Sequence, residues 1–99
     1  MKWRVLIRPQ AEADLREARS WYENQRTGLG EEFLSDVGTT IQLLGRDPER
    51  RPDYYRGFRR VMTRRFPYKL FYSLEGDRVI VFRILHARRD HPRLLPGER

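Results

Sequence analysis

The sequence predicts an α+β domain in the order β-α-α-β-β-β, with a helical hairpin packed on one face of a mainly antiparallel four-stranded sheet. Three observations carry this. Trp3, Val5 and Ile7 recur at every second position with arginines at 4 and 8, the period of a half-buried strand. Apolar residues then recur at helical spacing in two stretches divided by Arg26-Thr27-Gly28-Leu29-Gly30. Finally, the run Tyr68 to Leu74 passes through Glu75-Gly76-Asp77 into the apolar run Val79 to His86, a strand, turn and strand.

Taken in order, Pro9 ends the first strand and suits the first turn of a helix. That helix is expected to run to about Gln25. Ala11, Leu15, Ala18 and Tyr22 share one face, and Trp21 and Tyr22 are expected to pack against the sheet. The two glycines of the connector permit a tight reversal. Glu31 and Glu32 complement the dipole of a second helix, in which Phe33, Leu34, Val37, Ile41 and Leu44 repeat at helical spacing. Gly45, Arg46 and Pro48 form its stop signal. So short a connector makes the two helices an antiparallel hairpin.

The segment from Asp47 to Gly57 reads as loop, with Tyr54 and Tyr55 either docked or partly exposed. Phe58 to about Arg65 is a weaker strand. In the next strand Tyr68, Leu70, Tyr72 and Leu74 point one way and Lys69, Phe71 and Ser73 the other. The last strand is apolar at nearly every position, so it is expected to be central and covered on both faces, with Arg83 its interior exception. The first strand joins an edge or lies beside the last. The helices cover one face of the sheet, leaving the other to loop, tail or a partner.

The 99 residues form one domain, 1–99, of which about 87–99 is expected to be an extended basic tail. The absence of cysteine excludes a disulfide framework or thiolate metal site, and two histidines give little support for a metal. No cofactor is expected. No apolar run approaches the roughly 18 residues of a membrane span. The amino terminus lacks the apolar stretch of a signal peptide, so cytoplasmic residence is the expectation.

Charge is lopsided. Residues 1–45 carry 6 Lys/Arg against 7 Asp/Glu, and residues 46–99 carry 15 against 7, giving the formal +7. Coding bias accounts for arginine outnumbering lysine 19 to 2 but explains the uneven placement less well. A basic half points to an acidic partner, nucleic acid or an acidic protein segment. The basic residues lie on strands and loops rather than on a recognition helix, so direct sequence-specific DNA binding is not expected.

One ordered set of features spans nearly the whole chain. It comprises Arg8-Pro9 with Ala11 and Leu15, then Trp21-Tyr22-Glu23, Gly28-Leu29-Gly30 and Glu32-Phe33-Leu34. Pro48, Phe58-Arg59-Arg60, Phe66-Pro67-Tyr68 with Tyr72, and His86 with Arg88 and Arg89 complete it. In this order and spacing the chain resembles the RelE/ParE superfamily of type II toxin–antitoxin toxins, and looks most like the ParE-type branch. The resemblance implies a toxin of the kind linked to plasmid stabilisation, neutralised by an antitoxin whose C-terminal segment wraps it. ParE-type members inhibit DNA gyrase, whereas RelE-type members cut messenger RNA on the ribosome. A relic that binds antitoxin without toxicity is a third possibility.

A metal-independent ribonuclease must deprotonate a 2′-hydroxyl, protonate a leaving oxygen and stabilise a charged phosphorane. Against the RelE-type pattern, Arg60 and Lys69 fall near the basic middle-strand positions and Arg88 near the arginine past the last strand. The late tyrosine position holds Leu94 or Leu95. His86 and His91 are the available substitutes for proton transfer, though a strand-end histidine such as His86 more ordinarily bonds to backbone. The nuclease reading therefore rests on Arg60, Lys69, His86 and Arg88. The missing tyrosine favours a gyrase-binding inhibitor.

Candidate partner-binding residues are Arg59, Arg60, Arg64, Arg65 and Tyr68, with Arg88, Arg89, Arg93, Leu94 and Leu95 of the tail. The alternative for Arg59, Arg60, Arg64 and Arg65 is a solvated strand edge. The tail mixes charge with exposed apolar area, which suits a protein interface. An acidic antitoxin segment that folds on binding is expected to cross the helical hairpin or the open sheet face.

Overall fold

The computed structural model describes residues 3–88 and 95. Its elements follow the order expected: β1 (Arg4–Ile7), α1 (Pro9–Gln25), α2 (Leu29–Leu44), a 3-10 turn (Pro48–Arg50), β2 (Arg59–Met62), β3 (Tyr68–Glu75) and β4 (Arg78–His86). The sheet order is β1-β4-β3-β2. β4 is therefore interior. β2, β3 and β4 form an antiparallel meander, while β1 runs parallel to β4, so the sheet is mixed. The helical hairpin carries the chain from β1 across one face of the sheet to β2 at the opposite edge.

Pro9 opens α1 and places no N–H where none could be bonded. Gly28 precedes α2 at φ 92°, a left-handed conformation that a side chain would strain. Gly30 is needed for a different reason: a Cβ there would lie 2.9 Å from Glu23 Oε1 and 3.0 Å from the Arg19 carbonyl. The Gly28 and Gly30 N–H groups both donate to the Glu23 carboxylate at 3.0 Å. These bonds satisfy donors that the start of α2 would otherwise leave open and hold Glu23 below the usual carboxylate range. Gly45 ends α2 in right-handed geometry, φ −68°, so the stop does not use glycine's left-handed freedom.

The main core lies between the helices and one sheet face. Ala11, Ala18, Phe33, Val37 and Leu44 meet Val61, Leu70, Tyr72, Val79, Val81 and Ile84. Tyr68, Leu70, Tyr72 and Leu74 all belong to this cluster, as the alternation along β3 requires. Tyr22 packs there too, edge-on to Phe66 at 4.8 Å. Trp21 does not: it is 57% exposed, because the covered stripe of α1 passes through Tyr22 and leaves its neighbour at the rim. The weaker strand is shorter than expected. It stops at Met62 because Thr63 to Phe66 turns back on itself, with the Thr63 hydroxyl donating to the Phe66 carbonyl.

The second face carries a smaller cluster of Phe58, Phe71, Leu85 and Leu95, with Tyr54, Tyr55 and Phe82 packed against it. Loop and tail thus cover part of the face the helices leave open. Tyr55 and Phe58 bridge across Arg56 and Gly57, whose φ values of 50° and 84° are the positive pair a type I′ turn demands. Leu95, expected to offer exposed apolar area, is instead 6% exposed. It shields aromatic surface of Phe71 and Phe58 that no helix covers. The Tyr72 hydroxyl donates to the Pro48 carbonyl at 2.7 Å and ties the long loop to β3.

Candidate functional site

The pairing of β3 with β4 decides which side chains share a face. Phe71 pairs with Arg83 and Tyr72 with Val81, so Phe82 is an extra residue on β4. This bulge reverses the alternation. Before it, Val79 and Val81 face the helices; after it, Ile84 does. Phe82 and Leu85 lie in the cluster on the other face.

Arg60 and Lys69 stand on the helix-free face. Lys69 pairs with Leu85 and Arg60 with Phe71, both members of that cluster. The Arg60 guanidinium sits 3.8 Å above the Tyr54 ring. Burial and then the Arg60 charge push the Lys69 ammonium below its ordinary pKa. Met62, opposite Lys69, is 51% exposed between these cations. The result is a cationic, partly apolar surface about one strand pair wide.

His86 lies on the opposite side. It pairs with Tyr68, whose ring is 5.4 Å away, and it lines a pocket against α1. Its Nδ1 accepts the Arg88 N–H at 3.1 Å. Had β4 kept strict alternation, His86 would share a face with Phe82, Arg60 and Lys69. The bulge sends it through the sheet. The four residues of the nuclease reading are therefore split between faces, with Arg88 exposed just past the strand.

The remaining basic residues divide by role. Arg59 donates to the carbonyls of Glu49 and Arg51 and lies 3.9 Å from Asp53, so it ties the loop to β2. Arg64 and Arg65 sit in the turn before β3, both exposed. Arg65 bonds Glu32 at 2.9 Å, an exposed pair of small energetic weight. Their backbone N–H groups, with that of Phe66, converge on the Asp36 carboxylate at 3.1, 2.9 and 2.9 Å. Desolvation alone would raise the Asp36 pKa, but these three bonds outweigh it and hold the group below its ordinary value. Arg89, Arg93 and Leu94, and His91 with them, lie outside the described residues.

A second buried carboxylate, Asp14 of α1, receives Arg83 through two bonds of 2.8 and 2.9 Å and the Ile84 N–H at 3.0 Å. Hydrogen bonding to Asp14 raises the Arg83 pKa despite desolvation. The pair fixes α1 to β4 just where β1 has ended and the bulge has turned the Ile84 N–H outward. Arg83 was visible in the sequence as a charge inside an apolar strand. Asp14 carried no comparable signal, since a polar residue on a helix usually faces water. Among the described residues no cluster of three or more histidine or acidic side chains could hold a metal, and no helix is long and apolar enough to cross a membrane.

A family model, described as the ParE toxin of the type II toxin–antitoxin system parDE, matches residues 5–91. The chain belongs to the ParE toxin family. The match runs from β1 past β4 and includes both helices, so it covers the whole described fold except Trp3, Arg4 and Leu95. A solved structure titled as the chromosomal ParDE toxin–antitoxin system from P. aeruginosa superposes with a TM-score of 0.78 at 18% identity, covering 87% of this chain and 97% of that one. At that identity the likeness speaks for the fold. None of the curated proteins matches. Within the ParE pattern, the residues carrying the sequence resemblance turn out to be largely structural. Tyr22 is core, Glu23 clasps Gly28 and Gly30, and Tyr72 holds Pro48.

Proposed function

We propose that this ParE-family chain is a toxin that inhibits DNA gyrase by binding it, and that an acidic antitoxin segment neutralises it in the cytoplasm. The observation that carries the binding reading over ribonuclease chemistry is the separation of His86 from Arg60 and Lys69 by the sheet. A cleavage site needs its proton-transfer group and its cations around one phosphate. Here the cations stand over an aromatic cluster and the imidazole stands in a pocket behind them. Exposed Met62 beside Arg60 and Lys69 adds the apolar area that a protein partner uses.

In this reading the antitoxin segment lies on the same helix-free face, its carboxylates meeting Arg60 and Lys69. It reaches past the sheet edge to the exposed arginines Arg64 and Arg65, whose turn is held against α2, and to Arg88 at the strand end. Tyr68 would stand at the border of that surface. Competition between antitoxin and gyrase for one surface would account for neutralisation. A supercoiling assay with purified protein tests the reading. Loss of gyrase activity with added toxin, restored by the product of the adjacent gene, is the expected outcome. Undiminished supercoiling at excess toxin, with cuts in cellular messages after induction, would reject it in favour of ribonuclease activity.

A further inference from the structure

On the helix side, where β4 extends beyond β1, a pocket of about 310 Å³ opens between α1 and the ends of β3 and β4. Its walls include Trp21, Tyr22, Tyr68 and His86, with Glu17 at one side. Successive rings meet nearly at right angles: Trp21 and Tyr22 at 87° and 5.1 Å, Tyr68 and His86 at 76° and 5.4 Å. Tyr22 and Tyr68 join these two pairs at 65° and 6.1 Å. A corner of this kind presents ring faces from more than one direction to whatever enters it.

Its electrostatics run against those of the molecule. The chain has 21 Lys/Arg, yet among the described residues none lines this pocket. Two carboxylates do. Asp14 is already committed to Arg83, with their charges cancelled. Glu17 is exposed and has no ion-pair partner among the described residues. The described lining of the pocket thus carries one surplus negative charge beside four ring systems. Trp21 is kept 57% exposed at its mouth, where a merely structural tryptophan would be covered.

We infer that this pocket receives a guanidinium, the arginine side chain of a peptide partner, seated against the Trp21, Tyr22 and Tyr68 rings and bonded to Glu17. Cations are attracted to aromatic faces. A planar guanidinium can stack on a ring while its N–H fork reaches a carboxylate, which a compact ammonium cannot do equally well. The pocket is too polar along its Glu17 side to favour a purely apolar anchor. If the partner is the antitoxin, its acidic segment would carry one basic anchor, set apart from the carboxylates that meet the opposite face. The inference rests on the proposed function only for the source of that arginine. The chemistry of the pocket stands apart from it.

The test is a heteronuclear NMR titration of the full chain with N-acetyl-arginine amide, and in parallel with N-acetyl-citrulline amide, its neutral near-isostere. The arginine compound is expected to move the Trp21 indole, Tyr22, Tyr68 and His86 resonances, and the citrulline compound to do so far more weakly. Glu17→Gln and Trp21→Ala, both at exposed positions, are each expected to weaken arginine binding about two- to fivefold, the range of exposed cation–π contacts, with the rest of the spectrum unchanged. Equal binding of citrulline, shifts mapping elsewhere, no shifts at all, or indifference to both substitutions would overturn the assignment. Gyrase takes no part in this titration, so a chain that binds arginine here and leaves supercoiling intact would refute the proposed target alone.

Discussion

The two faces of the sheet are built for different ends. The helix-covered face is sealed except at the pocket beside Trp21: Phe33, Leu44, Leu70, Tyr72, Val79 and Val81 are all fully buried, and the buried carboxylates Asp14 and Asp36 pin a helix to a strand and a helix to a turn. The helix-free face carries a cluster of four buried apolar side chains, three half-exposed aromatics and two neighbouring cations over them. The contrast teaches that stability is concentrated on one side, leaving the other free to carry charge and exposed apolar surface. In a domain of this size the core is too modest to secure both faces equally.

The largest effect should come from the sealed face. Arg83→Met strands the Asp14 charge among apolar neighbours, and a loss of about 3–5 kcal/mol is expected in urea unfolding. Combining it with Asp14→Leu should restore part of that loss, leaving the Ile84 N–H unbonded. A double variant no better than the single would show that the pair is not the coupling unit. Truncations sharpen the comparison directly. Phe33→Ala should cost about 3–5 kcal/mol and Leu95→Ala about 2, near the low end for a buried leucine. Equal losses would dissolve the distinction between the faces.

Asp36→Asn should cost about 2 kcal/mol at neutral pH, since an amide cannot accept three N–H bonds as a carboxylate does. The sign of its pH dependence follows from the depressed native pKa. The contribution of Asp36 is complete above its ordinary value of 3.8 and is lost as pH falls below that toward the lower native value. The variant's deficit relative to the parent should therefore shrink in acid, as unfolding curves between pH 7 and pH 2 would reveal. The smallest stability effect belongs to the helix-free face. Arg60→Gln removes one cation–π contact at an exposed site, worth about 0.5–1 kcal/mol, yet should sharply reduce gyrase inhibition. A variant that unfolds early but inhibits fully would reverse the roles assigned to the two faces.

Much of this architecture could be read in advance. α1 and its proline start were legible because apolar spacing and Pro9 agree, and β3 because its alternation is clean from Tyr68 to Leu74. The central place of β4 followed from its being apolar at nearly every position. Trp21 was misplaced because helical spacing cannot tell the last covered position from its neighbour. Leu95 was misplaced because a polar, proline-bearing tail gives no hint that one leucine folds back. The cations Arg60 and Lys69 could be named from the sequence, but their stacking on Tyr54 and crowding against each other depend on a loop that periodicity cannot locate.

Hydrophobic period and turn chemistry, both local, determined by themselves the number, kind and order of the helices and strands, and composition alone gave the excess of positive charge in the second half of the chain. The tertiary structure alone decided which of those charges stay exposed and which are tied to a neighbour. One unpaired residue at Phe82 reverses every side chain that follows it, carrying His86 to the pocket of Trp21 and Tyr22 and away from Arg60 and Lys69. Asp14 meets Arg83 across 69 positions, a pairing no local pattern announces. A bulge is fixed by how two strands and a helix fit together, and no stretch of sequence a few residues long contains that information.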